Sequence, residues 1–405
     1  MPIPTPLHER TFPLCTSLNY RDWAGYYAVS AYEVHHEHEY NAIRNGAALI
    51  DISPLFKYIL RGPGATELVD RIITRSAAKM KPGQVYYTPW CDERGKVLDD
   101  GTVTRIEEDV YRWTAAEPNL RWMHENARGL EVEIEDASER IAAMALQGPT
   151  SGALLMRAAE ADLAGLKYFR MTKGTIKGIP VEISRTGYTG DLGFEVWAAA
   201  ADATAVWDAL MKEGRAFAVK PAGMLALDVS RIEAGLLLID VDFFSARKAQ
   251  IASQLYSPFE MSLDRLVDLK KERFVGRRAL AAEAERGAPR RIVGLEFDWP
   301  EVERIYERVG LPPMTAATAS RVAVPVYGSG RGQIGRATST TWSPVLKRMI
   351  ALATVDAAMA APGTRLEVEH TVDAVRHRVG AVVAPTPFYN PPQKTAPIAA
   401  VASHA

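Results

Sequence analysis

Glu195 is the side chain best placed for selective polar recognition, because it interrupts an apolar strand within RTGYTGDLGFEVW (185–197). The preceding IPVEIS (179–184) alternates apolar and polar residues like a half-buried strand. Glycines at 187, 190 and 193 then allow tight turns or close approach of the backbone to a ligand. On the next strand Phe194 and Val196 share one face, and Glu195 and Trp197 share the other. A carboxylate beside an indole needs hydrogen-bond donors, since burying an unpaired charge is costly. A solvent-facing glutamate on a hairpin satisfies the same pattern. The glycine spacing is not G-x-G-x-x-G, so it does not indicate a dinucleotide site.

A second constellation, Asp99–Asp100, closes YTPWCDERGKVLDD (87–100). Adjacent residues on a strand point to opposite faces, so the two cannot act as a carboxylate pair. Two solvated aspartates near a turn are the plainer alternative. Arg231, in SRIEAG, can form a helix-surface ion pair with Asp228 or Glu233, or recognise a carboxylate. Trp90, Trp113 and Trp122 suit core packing, with a ring-face contact for a cationic methyl group as the alternative. His35 and His38 stand one turn apart, yet no H-E-x-x-H or C-x-x-C pattern completes them, so no metal site is expected.

These residues need elements to position them. Apolar spacing predicts a helix over 32–49, a strand with a turn over 50–62, and a helix in GATELVDRIIT. A hairpin turns at DERGK; VYRWTAA is a further strand, and NLRWMHENARG and TAVWDALMKEG are helices with glycine stops. AAEAERGAPRR (281–291) reads as a charged linker. Six short strands follow (RIVGLEF, RVAVPVY, GQIGRATSTTW, MIALATV, TRLEVEH and RHRVGAVVA), which predict a small β-barrel or sandwich. The stretch 299–320 reads as an irregular, partly disordered insertion, and no packed structure is expected past about residue 390.

At 405 residues the chain can hold two or three domains with sizeable cores. A net charge of −1, well mixed, argues against nucleic acid or a membrane surface as partner. No apolar run approaches the ~20 residues of a membrane helix. The first residues lack the basic-then-apolar layout of a signal peptide. Two cysteines, Cys15 and Cys91, cannot make a disulfide scaffold, and a reduced cytoplasmic enzyme is expected.

GYTGDLGFEVW closely resembles the G-Y-T-G-[ED]-x-G-[FY]-E motif of the aminomethyltransferase family, the folate-binding T-protein of glycine cleavage and its relatives. YTPWCDERGKVLDD, ALQGP, ALDVSRIEAGLLL, SPFEMSL, FVGRRAL and ATSTTWSPVLKRMIALATV stand in the family order, so the resemblance runs from about residue 20 to residue 390. It implies an α+β fold: a folate-binding region of two intertwined, ferredoxin-like-type subdomains over 1–285, a C-terminal β-barrel over 286–390, and a disordered tail over 391–405. It also implies tetrahydrofolate as one-carbon acceptor. Glu195 would grip the pterin edge through a charge-assisted fork, and Asp100 would be catalytic beside the transfer centre. Tyr87 and Tyr111 would line the folate cleft with Tyr188, and Arg231 would bind the glutamyl tail or a substrate carboxylate.

This chain departs from the T-protein pattern beside that cleft. Gly101 replaces a leucine, TAAEPNLRW (114–122) lacks the usual asparagine and lysine, and GLLLIDVDF (235–243) is altered. The A-L-D form at 226–228 is more similar to the folate domains of dimethylglycine- and sarcosine-oxidising enzymes. The expected function is methyl transfer from a small O-, N- or S-methylated donor to folate N5. Acidic Glu117, Asp240 and Asp242 would favour a cationic donor. An aminomethyltransferase fed by a lipoyl-carrier protein is the alternative. A non-catalytic folate-binding factor of RNA modification or iron–sulfur assembly is a third; its K-G-C-[FY]-x-G-[QE] motif is only ERFVGRR here, without cysteine.

Overall fold

A computed structural model describes residues 1–398 except Ser329 and Arg331. Its N-terminal α+β region holds two large sheets, and its C-terminal part is a closed six-stranded barrel.

The first sheet runs Ala159–Glu160, Met171–Ile176, Ile179–Ser184, Gly193–Ala199, Ile141–Gln147, Ala48–Asp51 and Lys220–Pro221. Alternation makes its two faces different. Phe194 and Val196 join Leu146, Leu154 and Trp207 in one core, beneath the helices Ser151–Ala158 and Ala203–Gly214. Trp197 faces the other way, into a cluster with Ile43, Ile50 and Val229 from the helices Glu37–Asn45 and Met224–Glu233 and the strand Ala48–Asp51.

The second sheet runs Val85–Cys91, Val97–Glu107, Val110–Ala115, Phe56–Arg61 and Glu133–Asp136, all antiparallel. Its apolar face, with Tyr58, Val103, Tyr111 and Trp113, packs with residues of the helices Ala65–Ile72 and Leu120–Asn126. Trp90 and Trp113 meet edge-to-face at 4.9 Å within this core.

The barrel closes through Arg290–Phe297 pairing with both Arg348–Asp356 and Val375–Ala384. No helix among the described residues is long and apolar enough to cross a membrane.

Several expectations give way. The 32–49 helix shortens to Glu37–Asn45, because Tyr26–Ala31 and Ala48–Asp51 are strands on either side. The charged linker is mostly the helix Arg277–Arg286, anchored by buried Glu283, which accepts the Ser257 hydroxyl at 2.6 Å. The insertion starts as the helix Trp299–Arg308, capped by Asp298 and packed on the barrel through Val302, Ile305 and Tyr306. Those three positions form one apolar stripe.

The tail also carries packed structure as far as it is described. Ile398 is fully buried in the core of the first sheet, and Arg185 donates to the carbonyls of Gln393, Lys394 and Ala396. Residues 399–405 lie outside the described residues.

Candidate active site

Strand register builds the site. Tyr87 pairs with Thr102, Pro89 with Asp100, and Thr104 with Arg112. Paired residues share a face and alternate residues return to it, so Tyr87, Asp100, Thr102, Thr104 and Arg112 line one polar face of the second sheet. The Tyr87 hydroxyl donates to Asp100 Oδ2 at 2.6 Å. Burial pushes the Asp100 carboxyl up to about 6, against the stabilising bond from Tyr87. Burial and the Asp100 charge push the Tyr87 phenol up as well, so Tyr87 remains the donor.

Asp99 takes the opposite face and is fully buried. It accepts from the backbone N–H groups of Asp100 at 2.8 Å and Glu117 at 3.0 Å, and from Asn119 Nδ2 at 3.0 Å. Asp99 therefore ties the strand Val97–Glu107 to the 116–119 loop, while Asp100 is presented to the cleft.

Glu195 approaches from the first sheet, half-buried, opposite Ser184 in register. The hydroxyls of Thr186 (2.8 Å) and Ser184 (3.4 Å) both donate to Oε2, and Oε1 carries no hydrogen bond among the described residues. Burial pushes this carboxyl up, opposed by Thr186 and the nearby Arg112 guanidinium.

Arg112 is almost fully buried, lies 4.1 Å from the Trp197 ring centroid and donates to Glu182. Thus Arg112 joins the polar face of the second sheet to the Glu195–Trp197 face of the first, and the region between these faces, with Asp100 on one sheet and Glu195 on the other, is the candidate cleft.

Gly190 makes the expected turn, with φ at +76°, but Gly187 and Gly193 have another role than expected. A Cβ on Gly187 or Gly193 would lie 2.0 or 2.2 Å from Gln147 Oε1. Both make room for Gln147, whose amide donates to the Thr186 and Phe194 carbonyls and whose oxygen accepts from Thr189. Gln147 locks the loop that carries Thr186 beside Glu195. The ALQGP segment was its sequence signal.

Not every expected residue reaches the cleft. Tyr188 does reach its Asp100 side: its hydroxyl donates to the Leu237 carbonyl, within Coulombic range of Asp100 and Tyr87. Tyr111 does not. Its register places it on the apolar face, fully buried, with its hydroxyl on Thr66 at 2.8 Å.

Arg231 is also diverted. It is buried, and its guanidinium is engaged by Asp228 (2.9 Å), Asp242 (2.6 Å), Ser339 (2.7 Å) and the Leu236 carbonyl (3.3 Å). It clamps the helix Met224–Glu233 to the barrel strand Gln333–Ser343 and has no fork left for a ligand carboxylate. The acidic residues expected to favour a cationic donor are also paired. Asp242 belongs to this clamp, and Lys248 bridges Glu117 (2.8 Å) and Asp240 (2.7 Å).

Residues 17–271 match the GCVT N-terminal domain, and residues 290–390 match the glycine cleavage T-protein C-terminal barrel domain. The chain belongs to the aminomethyltransferase family. It is 35% identical over 357 residues to the aminomethyltransferase of Geobacillus thermodenitrificans, covering 87% of this chain and 89% of that one. It is 37% identical over 351 residues to that of Streptomyces coelicolor, covering 85% and 87%. The trimethylamine-oxide aldolase of Ruegeria pomeroyi is 35% identical over 372 residues, covering 89% of this chain but 43% of the relative. The fold is that of the glycine cleavage system aminomethyltransferase T from Bartonella henselae, with a TM-score of 0.80 at 24% identity, covering 96% of this chain and 99% of that one. The chain is accordingly an enzyme of a folate-dependent, one-carbon-transferring family.

Within this aminomethyltransferase-family scaffold, Tyr168 and Arg265 are residues that sequence reasoning missed. Half-buried Tyr168 feels the charges of Glu195 and Arg265, and Arg265 in turn acts on Tyr87. Their electrostatic influence reaches both Glu195 and Tyr87, and Arg265 is exposed. No motif marks either residue. Tyr168 lies in a turn and Arg265 in the short 3-10 turn Asp264–Leu266, where position depends on tertiary packing rather than on periodicity.

Proposed function

We propose that this enzyme transfers a methyl group from a small O-, N- or S-methylated donor to tetrahydrofolate. The observation that carries the folate assignment is the pair of carboxylates on opposite walls, each with one oxygen held by hydroxyl donors. Glu195, with Oε1 unbonded among the described residues and acceptor capacity left on Oε2, fits a pterin edge, which presents parallel N–H donors to a carboxylate. Folate, when bound, would supply the nucleophilic N5 that accepts the one-carbon unit. Arg265 is an exposed cation available near Tyr87 for the glutamyl carboxylates, in place of Arg231.

Asp100 is the group that orients this nitrogen and takes up its proton. Tyr87 holds Oδ2, so Oδ1 is the oxygen that faces the reaction. A carboxyl near 6 is ionised at neutral pH yet basic enough to accept a proton.

Support for a changed donor comes from where the departures cluster. Glu117, in one altered segment, and Asp240, in the other, are joined through Lys248. Arg247 adds bonds to Pro118 O and Asn119 Oδ1. The two segments form one rebuilt wall, while Glu195 and Asp100 are kept. The relative named trimethylamine-oxide aldolase, as close in identity as the aminomethyltransferases, is consistent with divergence of the donor side. Since the wall's acids are paired, charge gives no reason to require a cationic donor.

The aminomethyltransferase reading is favoured by the Geobacillus and Streptomyces relatives, matched over nearly their whole length. The test is to incubate enzyme and tetrahydrofolate with methylated donors or with an aminomethyl-lipoyl carrier, and to identify the folate product. Methyl-tetrahydrofolate from the donors is expected. Methylene-tetrahydrofolate and ammonia from the carrier alone would establish the other reading.

A further inference from the structure

We propose that Arg112 is a positioning residue for the pterin-binding carboxylate, reaching across from the second sheet to keep Glu195 ionised. The inference rests on the folate reading of Glu195 given above.

Arg112 sits in the middle of the strand Val110–Ala115, flanked in register by Ile59 and Thr104. From there it crosses to the first sheet. Glu182 pairs with Trp197 and Ser184 with Glu195, so two carboxylates and the indole lie on one face of adjacent strands. The guanidinium is stacked on the indole, bonded to Glu182 and within Coulombic range of Glu195. Its Nε is buried and has no hydrogen-bond partner among the described residues. Stacking on Trp197 sets the plane of the fork, so its position depends on geometry that a flexible lysine would not reproduce.

The chemical consequence follows from what a pterin requires. A fork of two N–H donors needs an ionised acceptor, and a protonated carboxyl presents a hydroxyl donor to one of them. The charged or titratable groups facing Glu195 are Glu182 on the neighbouring strand, Arg112 from the opposite sheet and the Tyr168 phenol. Burial disfavours ionisation. Arg112 is the single cation among these neighbours that favours it. It therefore sets the lowest pH at which Glu195 can receive a folate.

The experiment measures tetrahydrofolate affinity anaerobically between about pH 5 and pH 8. The variants are Arg112→Met, Arg112→Lys, Glu182→Gln, the Arg112→Met/Glu182→Gln double variant and Glu195→Ala. Loss of Arg112 should move the acid-side loss of affinity upward by about one pH unit or more, the scale of an opposite charge removed from close range. Arg112→Lys should recover part of that shift. Arg112→Met alone strands the Glu182 carboxylate and can compromise folding. The double variant, compared with Glu182→Gln, removes that difficulty and should keep an upward displacement. Superposed pH profiles with and without Arg112 would overturn the proposal. Undiminished affinity in Glu195→Ala would instead overturn the folate reading beneath it, so the two failures are distinguishable.

Discussion

At the scale of single residues, the adjacent aspartates divide the work between chemistry and architecture. Asp100 faces the cleft with Tyr87 on one oxygen, so Asp100→Asn should leave tetrahydrofolate affinity nearly unchanged. Turnover should fall by about 10²-fold, the scale of a lost acid–base or electrostatic contact. Activity needs the ionised carboxylate, so the wild-type rate should decline as pH falls through about 6, and the variant should lack that limb. A pH–rate profile of both proteins checks this. Asp99 is no mild neighbour, contrary to the expectation from two solvated aspartates. Its carboxylate is fully buried and accepts three bonds, and Asp99→Asn should cost about 1–3 kcal/mol in unfolding free energy. Denaturant unfolding with an unchanged midpoint would count against that role.

At the scale of elements, parity of the strands decides which side chains reach the site. Asp100, Tyr87 and Arg112 share one face, whereas Tyr111 falls on the other and becomes core. The alternation of VYRWTA made that division legible, and the polar Arg112 beside Trp113 was the overlooked signal. Register across the hairpins was not legible, because a one-residue slip exchanges the two faces. The same close pairing explains Gly101, where the family pattern has leucine. A Cβ there would lie 2.0 Å from the Thr114 carbonyl oxygen. Gly101→Leu should separate the strands that present Asp100, at a cost of about 1–3 kcal/mol or more. Thermal unfolding and turnover should both drop. A variant as stable and active as wild type would contradict this close approach.

At the scale of the whole molecule, the closed barrel and the mixed N-terminal region were readable from six short strands following a mixture of strands and helices. The helix Trp299–Arg308 was readable too, through the Val302, Ile305 and Tyr306 spacing after an Asp298–Pro300 start, although length and exposed polarity suggested disorder. The tail was not. Its order depends on Arg185 binding three carbonyls and on Ile398 filling the first core, contacts more than 200 residues apart along the chain. Arg231 had the right motif and one of its expected partners, Asp228, but its closure by Asp242 and Ser339 required the barrel to be in place. The motif residues Glu195 and Asp100 mark the cleft from opposite sheets, and the account depends on that cleft receiving folate. The direct measurement is calorimetric titration of tetrahydrofolate into wild type and Glu195→Ala. Loss of the charge-assisted fork should weaken binding by about 30- to 1,000-fold, roughly 2–4 kcal/mol, with an unchanged circular dichroism spectrum. Equal affinity in the two proteins would contradict the account.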